Sequence, residues 1–147
     1  MNEERSVAAF GIFGGDLVVC GGFGGVDECF GILKSVESYN RESSKWSPMP
    51  SMNERKYYHS LVVAKNKLFV IGNGKSQFEV FDNDCKKFVI LKPPEIPTEM
   101  FNFVKTTSFG NKIIVIGKNS LVAFCYDTDK DEWSSMSLEF ARCLFTS

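Results

Sequence analysis

The chain has 147 residues, of which 44% are hydrophobic, 24% charged and 14% aromatic, with 17 basic side chains against 18 acidic ones and a net charge of -1. That is enough apolar material for one packed core, and it fits neither disorder, nor a collagen-like repeat, nor a coiled coil. The near-neutral balance offers no basic field to nucleic acid or anionic lipid, and the apolar strings, about four residues long, fall far short of the ~20 that cross a bilayer.

The N-terminal run Met1-Asn2-Glu3-Glu4-Arg5 is charged and opens no long apolar segment, so no signal peptide is expected. Cys20, Cys29, Cys85, Cys125 and Cys143 are odd in number and form no C-x-x-C pair, and they share the chain with a single histidine. This is the thiol usage of a reducing, cytoplasmic compartment. From the N-terminus onward the apolar runs are short and rich in β-branched and aromatic residues, with Gly, Asn, Lys or Asp between them, which predicts strands throughout. Leu61 to Ala64, then Lys65-Asn66-Lys67, then Leu68 to Ile71 reads as a tight hairpin. Innermost strands are expected near Val7 to Ile12, His59 to Ala64 and Val104 to Phe109.

The runs recur. Leu17-Val18-Val19-Cys20-Gly21-Gly22 returns as Leu68-Phe69-Val70-Ile71-Gly72-Asn73 and as Ile113-Ile114-Val115-Ile116-Gly117-Lys118. The pair Tyr39 and Trp46 returns as Phe81 and Phe88 and again as Tyr126 and Trp133, with the same internal spacing each time. Lys45 to Ser60 also aligns without a gap on Glu132 to Ser147, matching Trp46 with Trp133, Met49 with Met136 and Arg55 with Arg142. Repeat units are therefore expected at 5–52, 53–97 and 98–140, with the start of a fourth at 141–147. Each unit has the order of a four-stranded antiparallel propeller blade, so the expected fold is all-β: three blades stacked face to face, with the tyrosines and tryptophans filling the wedge between them.

The string Gly21-Gly22, then Ser35-Val36-Glu37-Ser38-Tyr39-Asn40, then Trp46-Ser47-Pro48-Met49 resembles the kelch repeat, and in detail the kelch-like (BTB-kelch) proteins. Gly21, Gly22, Tyr39 and Trp46 carry the full motif in the first unit. Gly72, Phe81 and Phe88 carry it in degenerate form in the second, and Gly117, Tyr126 and Trp133 in the third. Members of that family usually have six blades, so the resemblance implies about half a kelch β-propeller, without the BTB and BACK domains that normally precede it. It further implies a non-enzymatic protein-interaction module, the substrate-recognition part of a cullin-type ubiquitin-ligase adaptor. A cytoskeletal, actin-binding scaffold is the alternative reading, and a gene fragment with no independent function is another.

Rival chemistry finds little support in the residues. Gly74-Lys75-Ser76 lacks the earlier glycine of a phosphate loop and leads into a strand. Asp127, Asp129 and Asp131 alternate like the first ligands of a calcium loop, but Glu132 stands where the turn glycine belongs and Leu138 where the bidentate Glu does. With His59 as the sole histidine, no zinc site or Cys/His relay is expected, and neither metal nor cofactor is anticipated. Gly21-Gly22-Phe23-Gly24-Gly25 is expected to be a flexible connection, and of the thiols Cys29, in the long first loop from Gly22 to Lys34, is the one expected to be exposed. Counting back from each landmark glycine to the loops that lead into the innermost strands gives Arg5 and Ser6, Lys56 and Tyr57, and Phe101 and Asn102. With Phe23 and Asp27 of the long first loop, they form the expected partner-binding rim. The partner would be a protein substrate or a cytoskeletal protein, and the missing blades would come from a second copy, as a homodimer, or from further sequence.

Overall fold

A computed structural model describes residues 1–24, 31–73, 77–93, 104–117 and 122–137, and every regular element among them is a strand. A small sheet joins β1 (Arg5–Ser6), β4 (Phe23–Gly24) and β5 (Gly31–Ile32). Blade one is β2 (Ala9–Phe13), β3 (Asp16–Cys20), β6 (Val36–Asn40) and β7 (Lys45–Met49). Blade two runs through β8 (Ser60–Ala64), β9 (Lys67–Ile71), β10 (Phe78–Asp82) and β11 (Lys87–Ile90). Blade three contains β12 (Val104–Phe109), β13 (Lys112–Gly117), β14 (Val122–Asp127) and β15 (Glu132–Ser137). Within each blade, successive strands pair antiparallel. The chain is a partial β-propeller of three four-stranded blades; residues 141–147 lie outside the described residues.

The turns explain why these strands pair in this register. Lys65 and Asn66 both take left-handed backbone, at φ 49° and 54°, which matches the right-handed twist of the strands they join. The turns between third and fourth strands are built alike in all three blades. Asn40, Asp82 and Asp127 each turn a side-chain oxygen onto backbone N–H groups two or three residues ahead, those of Ser43, of Asp84 and Cys85, and of Asp129 and Lys130. Each turn then closes on a left-handed residue: Ser44 at φ 54°, Lys86 at 50° and Asp131 at 56°.

Burial shows how the blades stack. In β9 the four consecutive residues Leu68, Phe69, Val70 and Ile71 are all buried, because blade two is covered on both faces. Leu68 and Val70 join Val18, Cys20 and Val36 of blade one and Leu61, Phe81 and Phe88 of their own blade in one cluster. Phe69 and Ile71, on the opposite face, join Phe78 and blade three's Ile113, Val115, Phe124 and Tyr126 in a second. The landmark aromatics meet across strands in every blade, with ring centroids at 5.2 Å for Tyr39 and Trp46, 5.3 Å for Phe81 and Phe88, and 5.0 Å for Tyr126 and Trp133. Trp133 also packs on Phe78 of blade two at 5.1 Å, so it does fill a wedge. Tyr39 and Trp46 differ: they lie on the face of blade one turned away from blade two, and both are only half-buried.

Gly21 and Gly22 have left-handed backbone at φ 58° and 91°, and both are buried where two chain segments cross. A Cβ on Gly22 would stand 2.4 Å from the backbone oxygen of Ser6, which cannot move without opening the small sheet. At Gly15, φ is 88° but nothing lies within 4 Å of the same added atom. Gly22→Ala is therefore expected to lower the unfolding free energy by about 3 kcal/mol or more, and Gly15→Ala by only ~1 kcal/mol, read from urea transitions of the two variants.

Candidate functional site

The leading ends of the innermost strands converge on one end of the blades. Val7 and Ala8 before β2, Tyr58 and His59 before β8, and Val104 and Lys105 at the start of β12 line a shared hollow of about 170 Å³. Beside it, Tyr57 packs on Phe23 at 4.7 Å and on Tyr58 at 5.4 Å between ring centroids. Two of the expected rim residues, Phe23 and Tyr57, are thus brought together, and Ser6 pairs with Phe23 in the small sheet. The connection after Gly22 accordingly starts and ends in the paired strands Phe23–Gly24 and Gly31–Ile32. Asp27, Phe101 and Asn102 lie outside the described residues, as do Cys29, Gly74-Lys75-Ser76 and Leu138.

Arg5 and Lys56 depart from expectation. Both side chains are turned inward, 1% and 0% exposed, and each is held by a glutamate from the third strand of its blade. Arg5 Nη2 donates to Glu37 Oε2 at 2.9 Å, and Nη1 donates to the carbonyls of Gly21 and Ser35, each at 3.1 Å. Lys56 Nζ stands 3.2 Å from Glu79 Oε1 and donates to the Asn73 carbonyl at 3.3 Å. A buried cation needs such partners, and these charges are spent on the interior instead of being offered to a ligand.

The two cations belong to a repeated clamp that landmark spacing missed. Asn2 donates its backbone N–H to Glu37 Oε1 at 2.7 Å, and its side-chain amide to the Trp46 carbonyl at 3.4 Å. Asn53 does the same to Glu79 Oε2 at 2.8 Å and to the Phe88 carbonyl at 3.0 Å. The signal was in the sequence: Met1-Asn2-Glu3-Glu4-Arg5 returns as Met52-Asn53-Glu54-Arg55-Lys56. In the third unit the positions matching Lys56 and Glu79 hold Phe101 and Phe124, so cation and carboxylate are replaced together by two rings. Burial pushes the Glu37 carboxyl upward, but the Asn2 amide and the Arg5 guanidinium outweigh it and hold the group below its usual range.

Cys20 Sγ and His59 Nε2 approach to 3.3 Å, a contact with the form of a nucleophile and base. Its tuning is the reverse of what attack requires. Burial pushes the thiol up to about 12, only partly offset by Arg5 and Lys56. The imidazole is pushed down to about 4, first by burial and then by the positive charge of Lys56. Neither a thiolate nor an imidazolium forms near neutrality, so the pair is a packed structural contact. Among the described residues Cys85 is an exposed thiol, in the turn between β10 and β11. The sequence had pointed instead to Cys29.

The alternating aspartates are likewise committed elsewhere. Asp127 takes hydrogen bonds from Lys112 Nζ and Asn111 Nδ2, both at 2.8 Å, as well as from its own turn. Lys112 first, and then the turn amides, hold its carboxyl down to about 2 against the cost of desolvation. Asp131 accepts from the Tyr126 hydroxyl at 2.5 Å, and Asp129 pairs with Lys65 at 3.3 Å. Among the described residues, no group of three His, Cys, Asp or Glu is arranged to hold a metal ion.

Residues 5–53 match the Kelch motif, and no curated protein matches the sequence. Among solved structures, that of a protein called YjhT has the same fold, with a TM-score of 0.74 at 18% identity over 90% of this chain and 52% of that one. The chain thus spans about half the length of the solved structure it matches. It carries a Kelch motif in its first unit and folds as a kelch-type partial propeller. No helix among the described residues is long and apolar enough to cross a membrane.

Two measurements check this site. Lys56→Ala should cost ~3 to 5 kcal/mol in urea unfolding by leaving Glu79 buried and unpaired. The double substitution Lys56→Phe with Glu79→Phe, which installs the third unit's pair, should recover at least half of that loss. The second follows from His59. Its folded pKa lies below its unfolded value, so its contribution is fully present above about pH 6.5 and is lost as pH falls toward 4, by roughly 3 kcal/mol. As the sole histidine it should dominate that window, and His59→Leu should flatten the pH dependence of Tm between 6.5 and 4.5.

Proposed function

We propose that the chain is a non-enzymatic protein-interaction module that grips its partner at the end of the blades where Phe23, Tyr57, Tyr58 and the hollow beside His59 meet. The observation that carries this reading is the backbone at Val7 and Tyr58. They occupy matching positions before the innermost strands of blades one and two, and both take left-handed backbone, at φ 55° and 51°. For a β-branched valine and a bulky tyrosine that conformation costs on the order of 1–3 kcal/mol each. Both residues are 40% exposed, so the strain holds two apolar groups in solvent beside this hollow. Tyrosines that keep a large rigid ring half out of water are typical anchors of protein interfaces.

The resemblance to BTB-kelch proteins extends the proposal. The partner would be a substrate protein, and the chain would act in the cytoplasm as the recognition part of a cullin-type ubiquitin-ligase adaptor. Coupling to a ligase would then require a BTB module, supplied by a second chain or by a longer product of the same gene.

Glycine at position 58 separates binding from folding. Tyr58→Gly accepts φ 51° without strain and removes the ring. The Tm should hold or rise, while affinity for a partner identified by proximity labelling and then purified falls at least tenfold. Unchanged affinity, measured calorimetrically, would remove the rim from this role.

A further inference from the structure

We propose that the 147-residue chain closes on a second copy of itself, the outward face of each blade one seating on the outward face of the other copy's blade three. The observations are apolar side chains left exposed on the outward faces of blades one and three, and the repeat register that says what each face is shaped to meet. On blade one, Phe10 and Ile12 are 72% and 62% exposed. Strand pairing places them on one face with Leu17, Val19, Tyr39 and Trp46. On blade three, Phe109 is 84% exposed, and Ile116 and Met136 are exposed as well.

Each face has a covered counterpart inside the same chain. Phe10, Ile12, Leu17, Val19 and Tyr39 correspond to Leu61, Val63, Leu68, Val70 and Phe81 of blade two, the face that packs on blade one. The side of blade one that receives it carries Phe13 and Met49, and their counterparts in blade three are Phe109 and Met136. Thus the exposed face of blade one is of the type that docks, and the exposed face of blade three is of the type that receives. The contact inside the chain specifies the contact between chains. Phe13 meets Phe81 edge-on at 6.2 Å, so Phe109 of one copy should meet Tyr39 of the other.

A second copy is the occupant because one chain bears one face of each type, so a head-to-tail pair satisfies all four faces and closes. The pair also has twice the blades of a chain that covers 52% of the solved propeller it matches. With each face losing on the order of 500 Å², the two contacts together bury about 2,000 Å², at the upper end of what a stable interface needs.

Size-exclusion chromatography with light scattering, on the full chain at about 20 μM, tests this. The expected species has twice the 16.5 kDa mass of one chain. Phe10→Asp and Phe109→Asp, both on side chains exposed in the single chain, should each give the single-chain mass with unchanged strand circular dichroism. Mixing the two variants should restore pairs in part, since one of the two contacts is then wild type on both sides. In a Cys85→Ser background, Tyr39→Cys with Phe109→Cys should form a disulfide between copies under mild oxidation. A wild-type mass of 16.5 kDa, open-ended growth beyond a pair, or a pair indifferent to Phe109→Asp would each overturn the proposal.

Discussion

A sheet whose two faces are both apolar must be covered twice, and every other feature of this molecule answers to that constraint. Blade two meets it fully: alternate residues of β9 point into two different clusters, and none of the four from Leu68 to Ile71 reaches solvent. Because consecutive strands of a blade are linked by turns of fixed conformation, the pattern of side chains on a face repeats from blade to blade. Stacking is therefore selective for faces of opposite type. Fully burying an aromatic such as Phe69 or Phe78 is worth about 1.5–3 kcal/mol, and each interface collects several such side chains. The same arithmetic makes an uncovered face costly.

Apolar stacking alone does not fix the path of the chain from one blade to the next. That path is set by polar groups. The segment leading into each of the first two blades is tied at its start by an asparagine to the third and fourth strands, and at its end by a cation to the glutamate of the third strand. Between them the Gly22 amide donates to the Lys56 carbonyl at 2.8 Å, which ties blade one to the linker of blade two. Gly21 has to be a glycine for that crossing to exist, because a Cβ there would stand 2.6 Å from the Lys56 carbonyl oxygen, and Gly22 because a Cβ there would stand 2.4 Å from that of Ser6. The paired glycines of the first unit therefore serve a close approach of backbones, whereas the second unit, with Asn73 after Gly72, answers the same need by donating the Asn73 side-chain amide to the Tyr57 carbonyl.

Much of this architecture was legible in the residues, since strand period, aromatic spacing and turn chemistry repeat and are local. Orientation was not. Counting back from a landmark glycine found the right end of the propeller at Arg5 and Lys56 but could not say whether those side chains point to solvent or inward. Their carboxylate partners lie 32 and 23 residues away, in a different strand. The decisive clue was relational: an asparagine three residues before each cation, a glutamate two before each landmark aromatic, and the loss of cation and carboxylate together in the third unit. Cys85 was missed because its exposure depends on a turn conformation set by Asp82.

The exchange of Lys56 and Glu79 for Phe101 and Phe124 bears on what the buried charges are for. A buried ion pair rarely stabilises more than apolar side chains of similar volume, because desolvation offsets most of the attraction. What it does supply is direction. A carboxylate that must receive the asparagine amides and face the cation admits one register of the linker, whereas an apolar side chain is satisfied by many. In blades one and two that requirement falls on the segments that carry Val7 and Tyr58 into strained, outward conformations. The clamp thus connects the interior to the rim: Lys56 lies one residue from Tyr57 and two from Tyr58, and the linker that Glu79 fixes is the one that presents both rings. In this arrangement the polar residues of the interior set the shape of the surface, and the apolar ones hold the blades beneath it.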